Sequence, residues 1–337
     1  MPEFTVFRGG PDGVKRGTTV KPDELSGDRV LKHRDIVLGH EGVGVVEAVG
    51  PDAAGLRRGD RVGWGYETNS CGRCLDCLSA DEIYCRRREV YGGPGADYDQ
   101  GSFASHAVLR EAFLHRIPAG LGDADAAPLQ CAGATVFSAL QGVGVGATVG
   151  VVGVGGLGHM AIQFAAKMGC RVVALSSSGR KREDALELGA HRFVVTGGKD
   201  GDGAGAGDAG GQGNGNGNGN DGPEDEWPIS RLLVTTSALP DWRAVMPLLG
   251  TRAVVYVLTA SRDDVRVPCL PLLSKGISVR GMLTASRGEH RRMLDFAALH
   301  GIRPLVERFP MSEAGIREAI ERLESGRIRF RAVLIPQ

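Results

Sequence analysis

Cys71, Cys74, Cys77 and Cys85 fall in the spacing C-x2-C-x2-C-x7-C. Four thiolates so close in sequence suit one tetrahedral Zn²⁺ ion, and a site closed by four protein ligands leaves no position for a substrate. The expected role is therefore structural, ordering a lobe over residues 71–85. Iron–sulfur motifs differ in their proline and wider spacings. Met1–Gly10 carries charges and no apolar h-region, so no secretory signal is expected and disulfides are disfavoured. A second kind of chemistry is offered by Gly153-Val154-Gly155-Gly156-Leu157-Gly158, a G-x-G-x-x-G run between an apolar strand and an apolar helix. Gly153 allows a tight turn, Gly155 lets the backbone approach a pyrophosphate, and Gly158 lets the helix pack closely on the strand. The helix start then offers free N–H groups and the positive end of a dipole. A dinucleotide is the expected ligand.

The residues after the next strand bear on which dinucleotide. An acidic side chain there usually bonds the ribose 2′-hydroxyl of NAD. This chain runs Leu175-Ser176-Ser177-Ser178-Gly179-Arg180-Lys181-Arg182, with no carboxylate before Glu183. Hydroxyls followed by cations suit a 2′-phosphate. Cations in a first helical turn also oppose the helix dipole, which makes a merely solvated role less apt. NADP(H) is the expected cofactor.

The elements that must position these residues follow from pattern. Residues 1–38 read as short strands and turns, Phe4–Phe7 and Val14–Val20 among them, and Gly39–Val62 alternates glycine with β-branched residues. From Ala124 the pattern turns helical, with Ala134–Leu140. Strands at Val149–Val152, Arg171–Leu175, Arg192–Val195, Leu232–Thr235, Ala253–Leu258 and Ile277–Val279 then alternate with helices, including His159–Met168 and Lys181–Leu188. Such alternation predicts an α/β unit with a doubly wound parallel sheet. Helices close the chain at Glu289–His300 and, capped by Ser312, at 313–324. The tract Gly197–Gly222 holds no apolar residue larger than alanine and cannot bury surface, so a disordered insert over 197–226 is expected.

Composition narrows the partners. The 337 residues carry 40 Lys+Arg and 40 Asp+Glu, a formal net charge of zero that does not point to nucleic acid or an anionic membrane. The uncharged stretch Ala147–Ala166 is long enough to suggest a membrane span, but its glycines stand where a strand-to-helix turn needs them. A cytoplasmic enzyme acting on a small molecule is the expectation.

Gly39-His40-Glu41, Gly44, Gly50 and Ala53 spell G-H-E-x2-G-x5-G-x2-A, followed by Gly59-Asp60-Arg61-Val62. This resembles the signature of zinc-dependent medium-chain alcohol dehydrogenases. Leu129-Gln130-Cys131-Ala132-Gly133-Ala134-Thr135, Gly65-Tyr66-Glu67, Gln100-Gly101-Ser102-Phe103-Ala104 and Arg329-Phe330-Arg331 add to the likeness, which looks closest to the fungal, cinnamyl-alcohol-dehydrogenase-like branch. The resemblance covers nearly all of the chain except the Gly/Asn tract. It implies a GroES-like β-rich catalytic domain over 1–128 and 284–337, split in sequence around a Rossmann domain over 129–283, with the active site in the cleft between them. It further implies His40 and Cys131 as catalytic-zinc ligands, Glu41 as the carboxylate beside that metal, Thr135 as a nicotinamide contact and Arg331 as a pyrophosphate contact. Zinc would polarise the substrate oxygen as a Lewis acid while hydride passes to or from nicotinamide.

The chain departs from that family at one point. A cysteine in a Cys-Gly-x-Asp turn, with a Ser or Thr proton relay, should precede the Gly-His-Glu motif. Here Asp28-Arg29-Val30-Leu31-Lys32-His33-Arg34-Asp35 runs straight into Ile36-Val37-Leu38-Gly39. Of seven cysteines, four belong to the closed site and one is Cys131; Cys170 and Cys269 read as packing residues. A catalytic zinc wants three protein ligands and an open position, and two are visible, with Glu41 as candidate third and His33 more simply a surface residue. Two functions follow: an NADP(H)-linked alcohol dehydrogenase or aldehyde reductase, and an NADP-binding homologue that keeps only structural zinc. A zinc-free quinone-reductase-like activity agrees less well with the four cysteines and Gly-His-Glu. The strand Ile277–Val279 resembles the family's dimer-forming edge, so a homodimer is a further expectation.

Overall fold

Residues 148–152, Thr-Val-Gly-Val-Val, are all buried and form the central strand of a six-stranded sheet in the computed structural model. The model describes residues 3–10, 13–20, 36–93, 95–196 and 227–337. The 197–226 tract, His33 and the Leu31–Lys32 junction lie outside the described residues. Two compact units emerge, one of Met1–Gln141, Gly155–Phe164 and Met282–Gln337, the other of Gly142–Val154 and Ala165–Gly281.

The second unit holds the sheet. Its strands run, edge to edge, Arg192–Val195, Arg171–Ser176, Thr148–Val152, Ile229–Val234, Leu249–Val257 and Ser278–Gly281. All neighbours are parallel. In sequence order this is 3-2-1-4-5-6, the doubly wound nucleotide-binding arrangement. Strands buried in such a sheet lose polar alternation and read as continuous apolar runs, which is why the sequence pattern was legible here. Leu175, Leu232, Val234, Met246 and Val255 belong to one core cluster of this unit. Gly150 sits where a Cβ would come within 2.7 Å of Leu232, so its neighbours fill the space a side chain would take.

The first unit is built from short antiparallel pieces. Glu3–Gly10 and Gly13–Val20 pair as a hairpin, with Ile36–Val37 on the other edge of the first strand. Gly42–Val45, Arg61–Trp64 and His115–Arg116 make a second sheet, and Glu67–Asn69 pairs with Glu89–Val90. Near the C-terminus Val306–Pro310 and Arg331–Ile335 run parallel. The stretch 39–62, expected as one run of β-structure, is strand only at its two ends. Between them the Glu111 carboxylate accepts the N–H groups of Ala54, Gly55 and Leu56, which holds a loop instead.

Two long helices of this unit have side-chain caps. Ser286 accepts from the Glu289 N–H at 3.3 Å ahead of Arg287–His300, and Gly301 ends that helix at φ +67°. Ser312 accepts from the Gly315 N–H at 3.2 Å ahead of Glu313–Glu324. Phe7, Val14 and Ile316 form a small core between that last helix and the N-terminal hairpin. Cys170 is buried, as a packing residue should be, but Cys269 is exposed. It opens the helix Cys269–Lys275, which has no buried residue, so the packing role expected of it is corrected. Among the described residues no helix is long and apolar enough to cross a membrane.

Gly315 provides a test of the C-terminal packing. Alanine in place of glycine inside a helix ordinarily stabilises by about 0.5–1 kcal/mol. Here a Cβ would stand 2.2 Å from the Pro310 carbonyl oxygen. Gly315→Ala should therefore destabilise, by roughly 1–3 kcal/mol, measured by urea unfolding; a gain in stability would refute the close approach.

Candidate functional site

The four-cysteine lobe assembles from local turns. Gly72 takes φ +69° between the first two cysteines, Cys74 stands at the N-cap position of the short helix Leu75–Leu78, and Cys85 follows a 3₁₀ turn at Glu82–Tyr84. All four sulfurs lie within 4.8 Å of one another. The Cys71–Cys77 and Cys74–Cys77 separations are 3.9 and 3.5 Å. Thiolates placed tetrahedrally at about 2.3 Å from zinc stand roughly 3.8 Å apart. The cradle thus has the dimensions of a zinc–thiolate tetrahedron. A Zn²⁺ held by Cys71, Cys74, Cys77 and Cys85 would have no open position, and its chemistry there is structural.

This lobe is tied down by a carboxylate. Glu82, 2% exposed, accepts from the Arg287 backbone N–H at 2.7 Å and from its guanidinium at 2.9 Å. Burial alone would raise Glu82, but those bonds outweigh it and hold the carboxyl below its ordinary value. Glu67 is also buried, and among the described residues its Oε1 has no hydrogen-bond partner. Burial first, then the charge of Glu82, pushes Glu67 up to about 8, so it holds a proton at neutral pH.

The Gly-His-Glu turn depends on Gly39, at φ +82°, where a Cβ would meet Ser102 Oγ at 2.2 Å and the Phe103 ring at 2.4 Å. His40 follows, its ring 5.6 Å from that of Tyr66 and 5.3 Å from that of Tyr91. Burial holds His40 below the usual imidazole value, with Glu41 pulling it up and Arg331 pushing it down; the favoured neutral ring is the form that ligates metals. Glu41 is doubly engaged. Its Oε1 accepts the Ala132 N–H at 3.0 Å, and its Oε2 pairs with the Arg331 guanidinium.

Cys131 stands at the start of the helix Ala132–Ala139, with Thr135 donating to its carbonyl at 2.8 Å. Protein packed around the Cys131 thiol, and secondarily the charge of Glu41, push it up to about 12, against hydrogen bonds to Thr284 and Thr135. Such a thiol stays protonated until something displaces the proton. Among the described residues, the four lobe cysteines are the only set of three or more ligand atoms within 4.8 Å of one another. His40, Glu41, Cys131, Thr135 and Arg331 all fall in the first unit. Among the described residues, His40 and Cys131 are two donors near a carboxylate whose two oxygens are engaged by Ala132 and Arg331.

At the glycine turn, Gly153 takes φ +92° and its N–H donates to the Leu175 carbonyl at 2.8 Å. Among the described residues, a Cβ on Gly155 would meet nothing within 4 Å, which leaves the close approach to that backbone that a bound pyrophosphate requires. Gly156, Leu157 and Gly158 lead into the helix Gly158–Lys167. In the second unit Ser176 accepts from the Ser178 N–H at 3.4 Å, and Arg180 Nε lies 3.4 Å from Ser178 Oγ. Lys181 donates to the Val154 carbonyl at 2.8 Å, and burial lowers it from the usual lysine value. Ser177 lies between these contacts in the same segment. The open backbone at Gly155 suits close approach of a pyrophosphate. Sequence reasoning missed Glu67, Thr284 and His159, whose settings arise from long-range contacts; the one local sign was His159 directly after the last glycine of the turn.

Two family models match: the alcohol dehydrogenase GroES-like domain over residues 16–119 and zinc-binding dehydrogenase over residues 156–214. The chain is 37% identical over 305 residues to a probable formaldehyde dehydrogenase, AdhA, of Bacillus subtilis, covering 89% of this chain and 81% of that protein. It is 36% identical over 307 residues to probable cinnamyl alcohol dehydrogenase 8A of Oryza sativa subsp. japonica, covering 89% and 79%. Among solved structures, a cinnamyl alcohol dehydrogenase of Sorghum bicolor superposes with a TM-score of 0.82 at 28% identity, covering 99% of this chain and 97% of that one. The Helicobacter pylori enzyme described as CAD complexed with NADP(H) shares the fold, with a TM-score of 0.79 at 21% identity and coverage of 98% and 97%. The chain belongs to the zinc-type medium-chain alcohol dehydrogenase family.

Glu67 gives this site a pH signature. Its carboxyl titrates near 4.5 when unfolded and at about 8 when folded. Its contribution to stability is therefore full below the lower value and is lost as pH rises through the higher one. Melting temperatures between pH 5 and 9 should fall more steeply for the wild type than for Glu67→Gln; parallel profiles would refute the protonated carboxyl.

Proposed function

We propose that the chain is an NADP(H)-linked oxidoreductase of the alcohol dehydrogenase and aldehyde reductase type, acting on a small-molecule alcohol or aldehyde. The observation that carries the reading is the open backbone at Gly155 in the glycine turn. The cofactor preference rests on Ser176–Ser178, Arg180 and Lys181. A nicotinamide dinucleotide bound there would supply the hydride donor or acceptor. The chain's own part is to hold it: Gly153–Gly158 and Arg331 at the pyrophosphate, the serines and cations at the 2′-phosphate, and Thr135 beside the nicotinamide.

The resemblance in motifs favours the cinnamyl-alcohol-dehydrogenase-like branch, of which the fungal members are our preferred placement. We take 1–128 and 284–337 as the catalytic domain and 129–283 as the cofactor domain. The edge strand Ser278–Gly281, exposed along its length, is the proposed dimer contact, and the protein is proposed to work in the cytoplasm.

A second reading has its own support. Glu41 is held by Ala132 and Arg331, leaving His40 and Cys131 as two donors where a catalytic zinc requires three. On that reading the chain binds NADP(H) and structural zinc but turns over little alcohol.

Two measurements test these readings. NADPH should bind about 10- to 100-fold more tightly than NADH, the scale of one charge-assisted hydrogen-bond set, and Ser176→Asp should invert the order. Equal affinities in fluorescence titration would count against the 2′-phosphate site. Metal analysis separates the two functions. On the second reading, one tightly held zinc per chain with little dehydrogenase activity is expected, whereas the first expects a second zinc and turnover. Inserting a cysteine-bearing turn between Leu31 and Lys32 should bring a second zinc and turnover together. Two zincs in the unmodified chain, with aldehyde-dependent NADPH oxidation abolished by His40→Ala, would overturn the impaired reading.

A further inference from the structure

The ring of His159 is wholly buried directly behind the glycine turn. Its Nε2 lies 3.1 Å from the Leu305 backbone nitrogen, and its Nδ1 lies 2.9 Å from the Gly155 carbonyl oxygen. A ring nitrogen facing an N–H donor must offer a lone pair, so the proton resides on Nδ1 and is donated to Gly155. The same carbonyl accepts the backbone N–H of His159 at 3.1 Å. Two donors therefore fix one peptide plane. In a trans peptide the C=O and the next N–H point in opposite directions. Drawing the Gly155 carbonyl toward the helix thus aims the Gly156 N–H outward, where an anion at the helix start would sit.

The same ring supports a second group. It stacks on Phe330 with centroids 4.9 Å apart and planes 11° from parallel. Phe330 is buried and takes φ +74°, a left-handed conformation that a bulky residue keeps only when its surroundings impose it. The next residue is Arg331. Its Cδ and Nη1 stand 3.3 Å from where a Cβ on Gly156 would be, so the guanidinium stem lies against the turn.

We infer that His159 is a positioning residue for the dinucleotide pyrophosphate: it orients the Gly155–Gly156 peptide through Nδ1 and sets the Phe330–Arg331 corner through its ring face. The inference rests on the proposed cofactor reading. A buried histidine that only filled space would affect stability without acting through Arg331.

The experiment measures dissociation constants by fluorescence titration, with NADPH or NADH, whichever the wild type binds more tightly. His159→Leu should weaken binding about 10- to 30-fold, the scale of two lost hydrogen bonds and a stacked contact. His159→Asn, which keeps a donor facing the Gly155 carbonyl, should restore at least part of that loss. In an Arg331→Ala background, His159→Leu should cost clearly less than in the wild type, because the ring-face part of its effect passes through Arg331 while the Gly155–Gly156 part remains. Phe330→Gly accommodates the positive φ while removing the stacked ring, and should weaken binding about fivefold with the fold retained. It serves as the independent variant should His159→Leu fail to fold. Wild-type binding with unchanged affinity in His159→Leu and Phe330→Gly, or equal losses with and without Arg331, would overturn the inference. A wild type that binds neither dinucleotide would overturn the cofactor reading, and this inference with it.

Discussion

The ion pair between Glu41 and Arg331 is the constraint on which the candidate site depends. Glu41 comes from the turn after a two-residue strand, Arg331 from the first position of the last strand, and between them the helix Ala132–Ala139 begins. Cys131, at that helix's N-cap position, provides no side-chain cap. The Glu41 carboxylate supplies one from 91 residues away, taking the Ala132 N–H and placing a negative charge at the positive end of the helix. Removing Glu41 would leave a partly buried guanidinium and a helix-start N–H without their acceptor, two separate costs. Position 41 therefore has a structural task of its own.

A similar division of labour marks the zinc lobe. Its ligands are local, but its attachment is distant: Glu82 meets Arg287, 205 residues away, at the entrance to the helix Arg287–His300. Arg287 also lies over the Phe113 ring, at 4.9 Å from its centroid. Arg287 can satisfy one carboxylate well. Glu67, near the same charges, relieves the repulsion by keeping its proton.

What was legible in the sequence was what short spacing determines. The four-cysteine lobe, the glycine turn with its flanking strand and helix, and the cap at Ser312–Gly315 each depend on residues within about one or two turns of one another. The parallel strands were legible because burial removes their polar alternation. Strands of two to four residues, such as His115–Arg116, carry too few alternations to be read. Nor could sequence show that Glu41 is already occupied, that Glu67 is neutral, or that His159 reaches Leu305 across 146 residues. Cys269 illustrates the opposite error: a cysteine among apolar residues suggests packing, but its helix lies on the surface.

The spacing of the four cysteines has a consequence for the order in which the molecule is made. Cys71 to Cys85 closes a short loop, and the entropy of closing a loop grows only with the logarithm of its length but must be met before distant contacts form. All of the lobe's ligands leave the ribosome more than 200 residues ahead of Arg287, the residue that later anchors it. A metal ion bound by these four thiolates could thus be captured before the distant contacts form, leaving the lobe complete ahead of its anchor.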